Sequence, residues 1–161
     1  MTMMTSARFL RGLRQTPVLL NALLADLTAE HATGPTDGDG GWTVTEVVCH
    51  LHDFEMTVVA RARQMLTENA PTLRPIDQEQ LAIDNDHKSQ DFRSAFTSYL
   101  EARRAFVASL ENLTNDQWGR RGSLPSAGEF TVMELAMMVA LHDVNHIEQI
   151  ARIVGASDRL L

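Results

Sequence analysis

The chain has 161 residues, a formal net charge of −7 and a pI near 5.3. Hydrophobic residues make up 44% of it and charged residues 22%, a composition typical of a soluble globular protein with room for a substantial core. The acidic balance argues against nucleic acid or an anionic membrane surface as a partner. We therefore expect a single domain spanning residues 1–161.

The sequence also indicates the compartment. Its single cysteine, Cys49, excludes an internal disulfide and favours a reducing environment. The opening segment MTMMTSARFLRGLRQ lacks the apolar stretch of a secretory signal. The longest apolar run, Leu135 to Leu141, is far shorter than the ~20 residues that a membrane-spanning helix needs. We expect a cytoplasmic protein that does not act at a membrane.

The first predicted helix runs from about Ser6 to His31 and carries leucines at helical spacing. Thr16 and Pro17 have the pattern of a helix cap followed by a first-turn residue. The helix could therefore begin at Pro17, after a shorter lead-in turn. The following segment ATGPTDGDGG (residues 32–41) is rich in Gly, Pro and Asp, and it predicts a loop.

The second predicted helix begins at Thr43, which forms a capping-box pattern with Glu46, and it ends near Leu66. Residues 69–89 contain two prolines and many polar side chains, which predict a long crossover. A third helix is predicted over roughly residues 90–110, where aromatic and leucine side chains recur at helical spacing.

A second polar connection, residues 112–130, precedes another capping-box pattern at Thr131 and Glu134. This box begins the fourth predicted helix, which ends near Val154, with Gly155 as the residue after its C-terminus. No segment has the pattern of a β-strand. Four helices of this length predict an all-α fold, a four-helix bundle.

The lengths of the connections predict the helix directions. A crossover of roughly twenty residues is longer than an ordinary helix connection and can return the chain along the bundle, so helices two and three are expected to run parallel. If the last connection reverses the chain again, helices two and four are antiparallel neighbours.

Three histidines are predicted to meet in this bundle. At 1.5 Å per residue, His50 lies ~10 Å from the start of the second helix, and His142 and His146 lie ~18 and ~12 Å from the end of the fourth. All three occupy apolar stripes, so in an antiparallel pair they point inward at one level. Two histidines one helical turn apart and a third from a facing helix form a three-nitrogen metal site with an open coordination position.

The alternative for these histidines is a structural role. A lone inward-facing His50 would more often be a hydrogen-bonded core residue than a ligand. The metal interpretation depends on all three side chains meeting. His52 lies about 200° around its helix from His50, and His31 and His87 fall at a helix end and in the crossover. These last three are left out of the predicted site.

Other polar side chains near the predicted site each have two interpretations. Glu46 could act as a base on a metal-bound water, although its capping role explains it more simply. Asp53 could orient an imidazole or simply lie in solvent. Gln149 could line the cavity around the predicted metal site. Cys49 is expected to be a buried, inert thiol rather than a nucleophile.

Two motifs taken together, WTVTEVVCHL (residues 42–51) and LHDVNHIEQI (residues 141–150), resemble the DinB-like (YfiT-like) superfamily. The segments RRG (residues 120–122) and SAGEFT (residues 126–131) also resemble it, and the likeness covers about Leu13 to Val154. The resemblance implies a four-helix bundle with a long crossover, often a homodimer. It also implies a divalent metal ion, commonly zinc or nickel, on His50, His142 and His146.

Two functions remain open. The resemblance implies thiol-dependent transferases and isomerases that use bacillithiol, mycothiol or glutathione, alongside many members without a known activity. The chain could be a metal-dependent enzyme of the thiol-transferase or hydrolase type, in which a metal-bound thiol or water attacks a small-molecule substrate. It could instead be a non-catalytic dimeric scaffold or stress-response bundle with a structural or vestigial site. An open site would favour the enzyme, and no motif identifies catalytic residues.

Overall fold

A computed structural model describes residues 5–155; residues 1–4 and 156–161 of the predicted domain lie outside the described part. Four long helices form a bundle, which confirms the predicted fold class, and no helix in residues 5–155 combines the length and apolarity needed to cross a membrane. In chain order the elements are α1 (Ser6–Leu24), α2 (Ala29–Thr33), α3 (Val44–Thr67), α4 (Gln78–Asp84), a 3-10 helix (His87–Ser89), α5 (Phe92–Leu110), α6 (Asn115–Trp118), β1 (Arg121–Leu124), β2 (Gly128–Thr131) and α7 (Val132–Ile153).

Both predicted capping boxes are confirmed. At the start of α3, the Thr43 hydroxyl oxygen accepts a bond from the Glu46 backbone N–H, and the Glu46 carboxylate accepts one from the Thr43 backbone N–H at 2.9 Å. Thr131 and Glu134 form the same pair at the start of α7. Each box satisfies backbone donors that have no partner inside the helix. The two helices that carry the candidate histidines therefore begin at the predicted residues.

Two apolar clusters define the helix directions. The first joins the N-terminal halves of α1 and α7 to the C-terminal halves of α3 and α5, and the second joins the opposite halves. Hence α3 and α5 run parallel, while α3 and α7 run antiparallel, as predicted. The chain between α3 and α5 must return along the bundle. Members of the first cluster include Leu13, Val58, Phe106 and Leu135; members of the second include Leu20, Val47, Phe96 and Ile150.

The first helix is shorter than predicted. It ends at Leu24, and the Thr28 hydroxyl caps a separate helix, α2. Pro17 lies inside α1 rather than at its start, so the alternative beginning at that residue is wrong. The apolar spacing persists to Leu27, which packs against the second cluster from beyond the end of α1. A continuous stripe therefore predicted a continuous helix where the chain turns.

The expectation of no strands is also wrong, because β1 and β2 form an antiparallel hairpin. Its backbone pairs with the crossover: the Leu73 N–H donates to the Ser123 carbonyl at 2.7 Å, and the Ser123 N–H donates to the Pro71 carbonyl at 3.0 Å. A Cβ on Gly122 would lie 2.8 Å from the Met65 side chain. Pairing with the crossover and close packing against α3 stabilise these four-residue strands. Neither contact is visible in the local sequence, which has no alternation of apolar and polar side chains.

A layer of buried polar groups separates the two apolar clusters, with one residue from each long helix. The Arg103 guanidinium forms two 2.7 Å bonds to the Glu55 carboxylate and bonds of 2.6 and 3.0 Å to Asp143. It also donates to the Thr16 hydroxyl at 2.9 Å. All four side chains are at most 4% exposed. Burial raises the pKa of Glu55, although the bonds from Arg103 oppose that change.

Replacing Arg103 with Met should destabilise the bundle strongly, because it leaves the Glu55 and Asp143 carboxylates buried without a cation. We expect a loss of about 3–5 kcal/mol in the free energy of unfolding, measured by urea denaturation. Arg104→Met, which alters an exposed neighbour on the same helix, should change it by less than about 0.5 kcal/mol. Equal losses in the two variants would contradict the role given to this layer.

Candidate metal centre

The structure brings the three predicted histidines together. His50 projects from α3, and His142 and His146 project from successive turns of α7. The Nε2 atom of His142 lies 3.0 Å from that of His50 and 3.2 Å from that of His146. Within residues 5–155 this is the one group of three or more His, Cys, Asp or Glu side chains close enough to share an ion.

These distances fit a tetrahedral metal site. Metal–nitrogen bonds of ~2.0–2.1 Å at tetrahedral angles place two nitrogen ligands about 3.3 Å apart. Hydrogen bonds among the three Nε2 atoms explain the cluster less well than a shared metal ion does. A neutral imidazole nitrogen can donate only one hydrogen, whereas the His142 Nε2 faces two neighbours. The donor set therefore suits a divalent ion with at least one coordination position left open.

Neighbouring side chains fix the rings. The His146 Nδ1–H donates to the Gln149 side-chain carbonyl at 2.7 Å, which leaves the lone pair on Nε2 directed at the other histidines. Phe54 stacks on the His142 ring, with 3.7 Å between ring centroids, and Trp42 packs 5.0 Å from the His50 ring. Gln149, predicted only to line the cavity, therefore orients a candidate ligand.

Burial keeps these imidazoles neutral. It lowers the pKa of His50 to about 4 and that of His142 to about 3, with a further contribution from neighbouring His146. Burial also lowers the pKa of His146. His50 is 5% exposed, whereas His142 and His146 are partly exposed. The cluster therefore offers nitrogen lone pairs at neutral pH and reaches solvent on the α7 side.

The remaining candidates have structural roles. The Glu46 carboxylate accepts bonds from the Thr43 N–H and hydroxyl, which favours its capping interpretation over a base. Burial, with smaller contributions from the Asp53 and Glu46 charges, raises the pKa of the Cys49 thiol to about 12, as expected for an inert group. Asp53 orients an imidazole, but that imidazole belongs to His87.

His87 lies near the site, and sequence reasoning assigned it no role. It is only 3% exposed, and its Nε2 lies 2.7 Å from the Asp53 carboxylate. Burial favours the protonated form of Asp53, but hydrogen bonds from His52, Asn85 and His87 outweigh it and lower its pKa to about 2. The crossover folds His87 onto α3, and no local pattern in a polar segment could have indicated this contact.

The fold and the three-histidine cluster define a four-helix bundle with a candidate metal site. The family model of the DinB superfamily matches residues 13–150, and the chain belongs to that superfamily.

Among the similar proteins is the proposed metal-dependent hydrolase YfiT from Bacillus subtilis (strain 168), 29% identical over 154 residues, 93% of this chain and 86% of the relative. A proposed metal-dependent hydrolase from Bacillus licheniformis is 32% identical over 148 residues, 89% of this chain and 81% of the relative.

Solved structures agree with the architecture. The Bacillus subtilis YfiT structure, described as a four-helix bundle of unusual topology, matches with a TM-score of 0.85 at 27% identity, covering 99% of this chain and 90% of that one. A mycothiol-dependent maleylpyruvate isomerase matches with a TM-score of 0.77 over 93% of this chain and 63% of its own. At 12% identity this second likeness shows the fold alone.

The neutral histidines should make the metal-free protein acid-sensitive. Unfolding returns each imidazole to its ordinary pKa of ~6.5, so the unfolded state binds more protons than the folded state below that pH. The free energy of unfolding should therefore fall as the pH drops from ~6.5 toward ~4, by up to about 1.4 kcal/mol per pH unit for each histidine involved.

Replacing His142 with Gln tests this expectation, because it removes one titrating group from the cluster. Urea denaturation of the metal-free protein at pH 5–6.5 should show a pH slope reduced by about one proton. His31→Gln, at an exposed histidine, serves as the control. A slope that the His142 variant leaves unchanged would show that this histidine is not held neutral in the fold.

Proposed function

We propose that the protein is a divalent-metal-dependent hydrolase whose ion is bound by His50, His142 and His146. The observation that carries the proposal is the convergence of three neutral imidazole nitrogens at one partly exposed point. Imidazole ligands suit zinc and nickel, the metals that the family resemblance implies. The relatives at 29% and 32% identity, both named as proposed metal-dependent hydrolases, support the same reaction class.

The chain contributes the ligands for the ion and the contacts that orient them. The chemistry that a divalent ion supplies in such a site is Lewis acidity, which lowers the pKa of water and polarises a carbonyl or phosphoryl oxygen. Gln149 holds the His146 tautomer, and the aromatic rings of Phe54 and Trp42 hold the other two imidazoles. The partial exposure of His142 and His146 leaves an approach for a small-molecule substrate.

The same donor set could bind a thiolate, so a thiol-transferase activity is the alternative enzyme. A scaffold with a structural ion is supported less well, because a structural site is normally closed by four protein ligands, and three side chains converge here among residues 5–155. The homodimer and the cytoplasmic location stay predictions.

Metal binding is tested by titration of protein purified without a metal-affinity column. We expect one zinc or nickel ion per chain, by elemental analysis and calorimetry. His146→Ala should weaken binding at least a hundredfold while circular dichroism still reports a folded bundle, and His50→Ala and His142→Ala should behave alike. His52→Ala is the matched control, since His52 lies next to the site but outside the cluster. Equal metal content in all these proteins would refute the site.

Hydrolysis is tested on the metal-loaded protein with a panel of esters, amides and phosphoesters. We expect turnover at least a hundredfold above that of the free ion, and its loss in His50→Ala. A parallel panel pairs glutathione, bacillithiol and mycothiol with chlorinated or epoxide electrophiles. Activity only in this second panel would replace hydrolysis with thiol transfer, and activity in neither, with the ion bound, would favour the scaffold.

A further inference from the structure

Three exposed apolar side chains lie together on the side of the bundle formed by α1 and α7. Leu19 on α1 is 55% exposed, and Leu141 and Val144 on α7 are 58% and 53% exposed. The two helices are parallel neighbours, joined by the bond from the Thr16 hydroxyl to the Asp143 carboxylate. Single exposed apolar residues are ordinary, but a group of them on adjacent helices marks a surface for interaction.

The outward-facing residues of both helices have the spacing of a seam between helices. They recur at alternating intervals of three and four, which is the heptad pattern, and all are exposed or partly exposed. The middle of the surface is small or apolar apart from one glutamine, and its ends are charged. We call this surface the α1–α7 face; its members are Arg8, Gly12, Gln15, Leu19 and Ala22 on α1 and Glu134, Met137, Leu141, Val144 and Glu148 on α7.

The charges of the α1–α7 face are divided between the two helices. Helix α1 contains three arginines and no carboxylate, and Arg8 and Arg11 form no ion pair within residues 5–155. The heptad stripe of α7 begins with Glu134 and ends with Glu148. A basic helix beside one with acidic ends complements a second copy of the same pair, provided that α1 of each copy lies on α7 of the other.

A two-fold axis parallel to the bundle produces this arrangement. Rotation about the axis adds no shift along it, so residues at the same level meet across the interface. The bond between Thr16 and Asp143 joins residues 127 positions apart, which sets the level of α1 against α7. Arg8 of one copy therefore meets Glu134 of the other, and Leu141 of one copy meets the middle of α1 of the other.

The size of the α1–α7 face also fits a second copy. Helices α1 and α7 have 19 and 22 residues, so the face is ~30 Å long and, with two helices of ~10 Å diameter, ~20 Å wide. A footprint of ~600 Å² on each copy buries ~1,200 Å² in total, which is at the lower limit for a specific interface. A single partner helix would cover only half of this surface.

We propose that a second copy of this chain binds the α1–α7 face, with α1 of each copy packed on α7 of the other about a two-fold axis along the bundle. This assigns a contact surface to the homodimer predicted from the sequence. At about 100° per residue, the heptad stripe of α7 points roughly 140° away from His142 and His146. Both candidate metal centres therefore lie outside the interface, and dimer formation needs no metal ion.

The contact surface is tested by sedimentation of the metal-free, full-length protein over about 1 to 500 µM, the range expected for an interface of this size. We expect a reversible dimer. Leu141→Glu, which places a charge in the apolar middle of the interface, should weaken it at least about tenfold while circular dichroism still reports a folded bundle. Met56→Glu is the matched control, because Met56 is 52% exposed on α3 and outside the face.

The arrangement of the helices is tested by charge reversal. Arg8→Glu should weaken the dimer about tenfold, because it places two carboxylates opposite each other where the arginine meets Glu134. Arg63→Glu makes the same change in net charge at an exposed position on α3 and should alter the dissociation constant less than about twofold. Equal weakening by the two variants would overturn the proposed arrangement.

A protein that stays monomeric at the highest concentration, or a dimer that Leu141→Glu leaves as stable as Met56→Glu does, would overturn the proposal. The proposed function fails separately. A dimer that behaves as expected in the metal-free protein, without any hydrolysis by the metal-loaded protein, would count against the hydrolase and leave the contact surface standing.

Discussion

The ion-pair layer centred on Arg103 fixes the register of the bundle. Its guanidinium joins α5 to the carboxylates of Glu55 on α3 and Asp143 on α7. A shift of any of these helices would leave a buried charge unpaired, which is strongly destabilising. Asp143 directly follows His142 in the chain. A slip of α7 by one turn would therefore separate the ion pair and the candidate ligands together. The geometry of the three-histidine cluster depends on a contact that contains no histidine.

The polar groups of the bundle fall into two kinds. The charged groups of the buried layer are paired with one another and are at most 2% exposed, so they set alignment and are closed to a ligand. The imidazoles at the edge between α3 and α7 are neutral and lack full partners: the Nδ1 atoms of His50 and His142 have none in residues 5–155, and their Nε2 atoms face one another. Fully satisfied groups hold the fold together, whereas incompletely satisfied ones are available for chemistry.

The parallel arrangement of α3 and α5 has a functional consequence. It forces the chain to return along the bundle, and the returning segment folds α4 and the 3-10 helix against the N-terminal half of α3. This places His87 on Asp53 and brings Glu79, Asp86 and His87 around the same cavity as Trp42, whose ring packs against His50 of the candidate metal centre. The crossover therefore packs beside the candidate site as well as connecting two helices.

The sequence by itself determined the four long helices, the starts of α3 and α7, and the shared depth of the three histidines, because apolar periodicity, capping boxes and helical rise are local properties. Only the tertiary structure decided where α1 ends, how β1 and β2 pair, and which polar residues are buried. Arg103 lies 48 residues from Glu55 and 40 from Asp143, so in the sequence each reads as an ordinary solvated helix position. His87 and Asp53 are 34 residues apart and meet only because the crossover folds back. Contacts between distant residues depend on how the helices pack, and a pattern read along one helix carries no information about its partner.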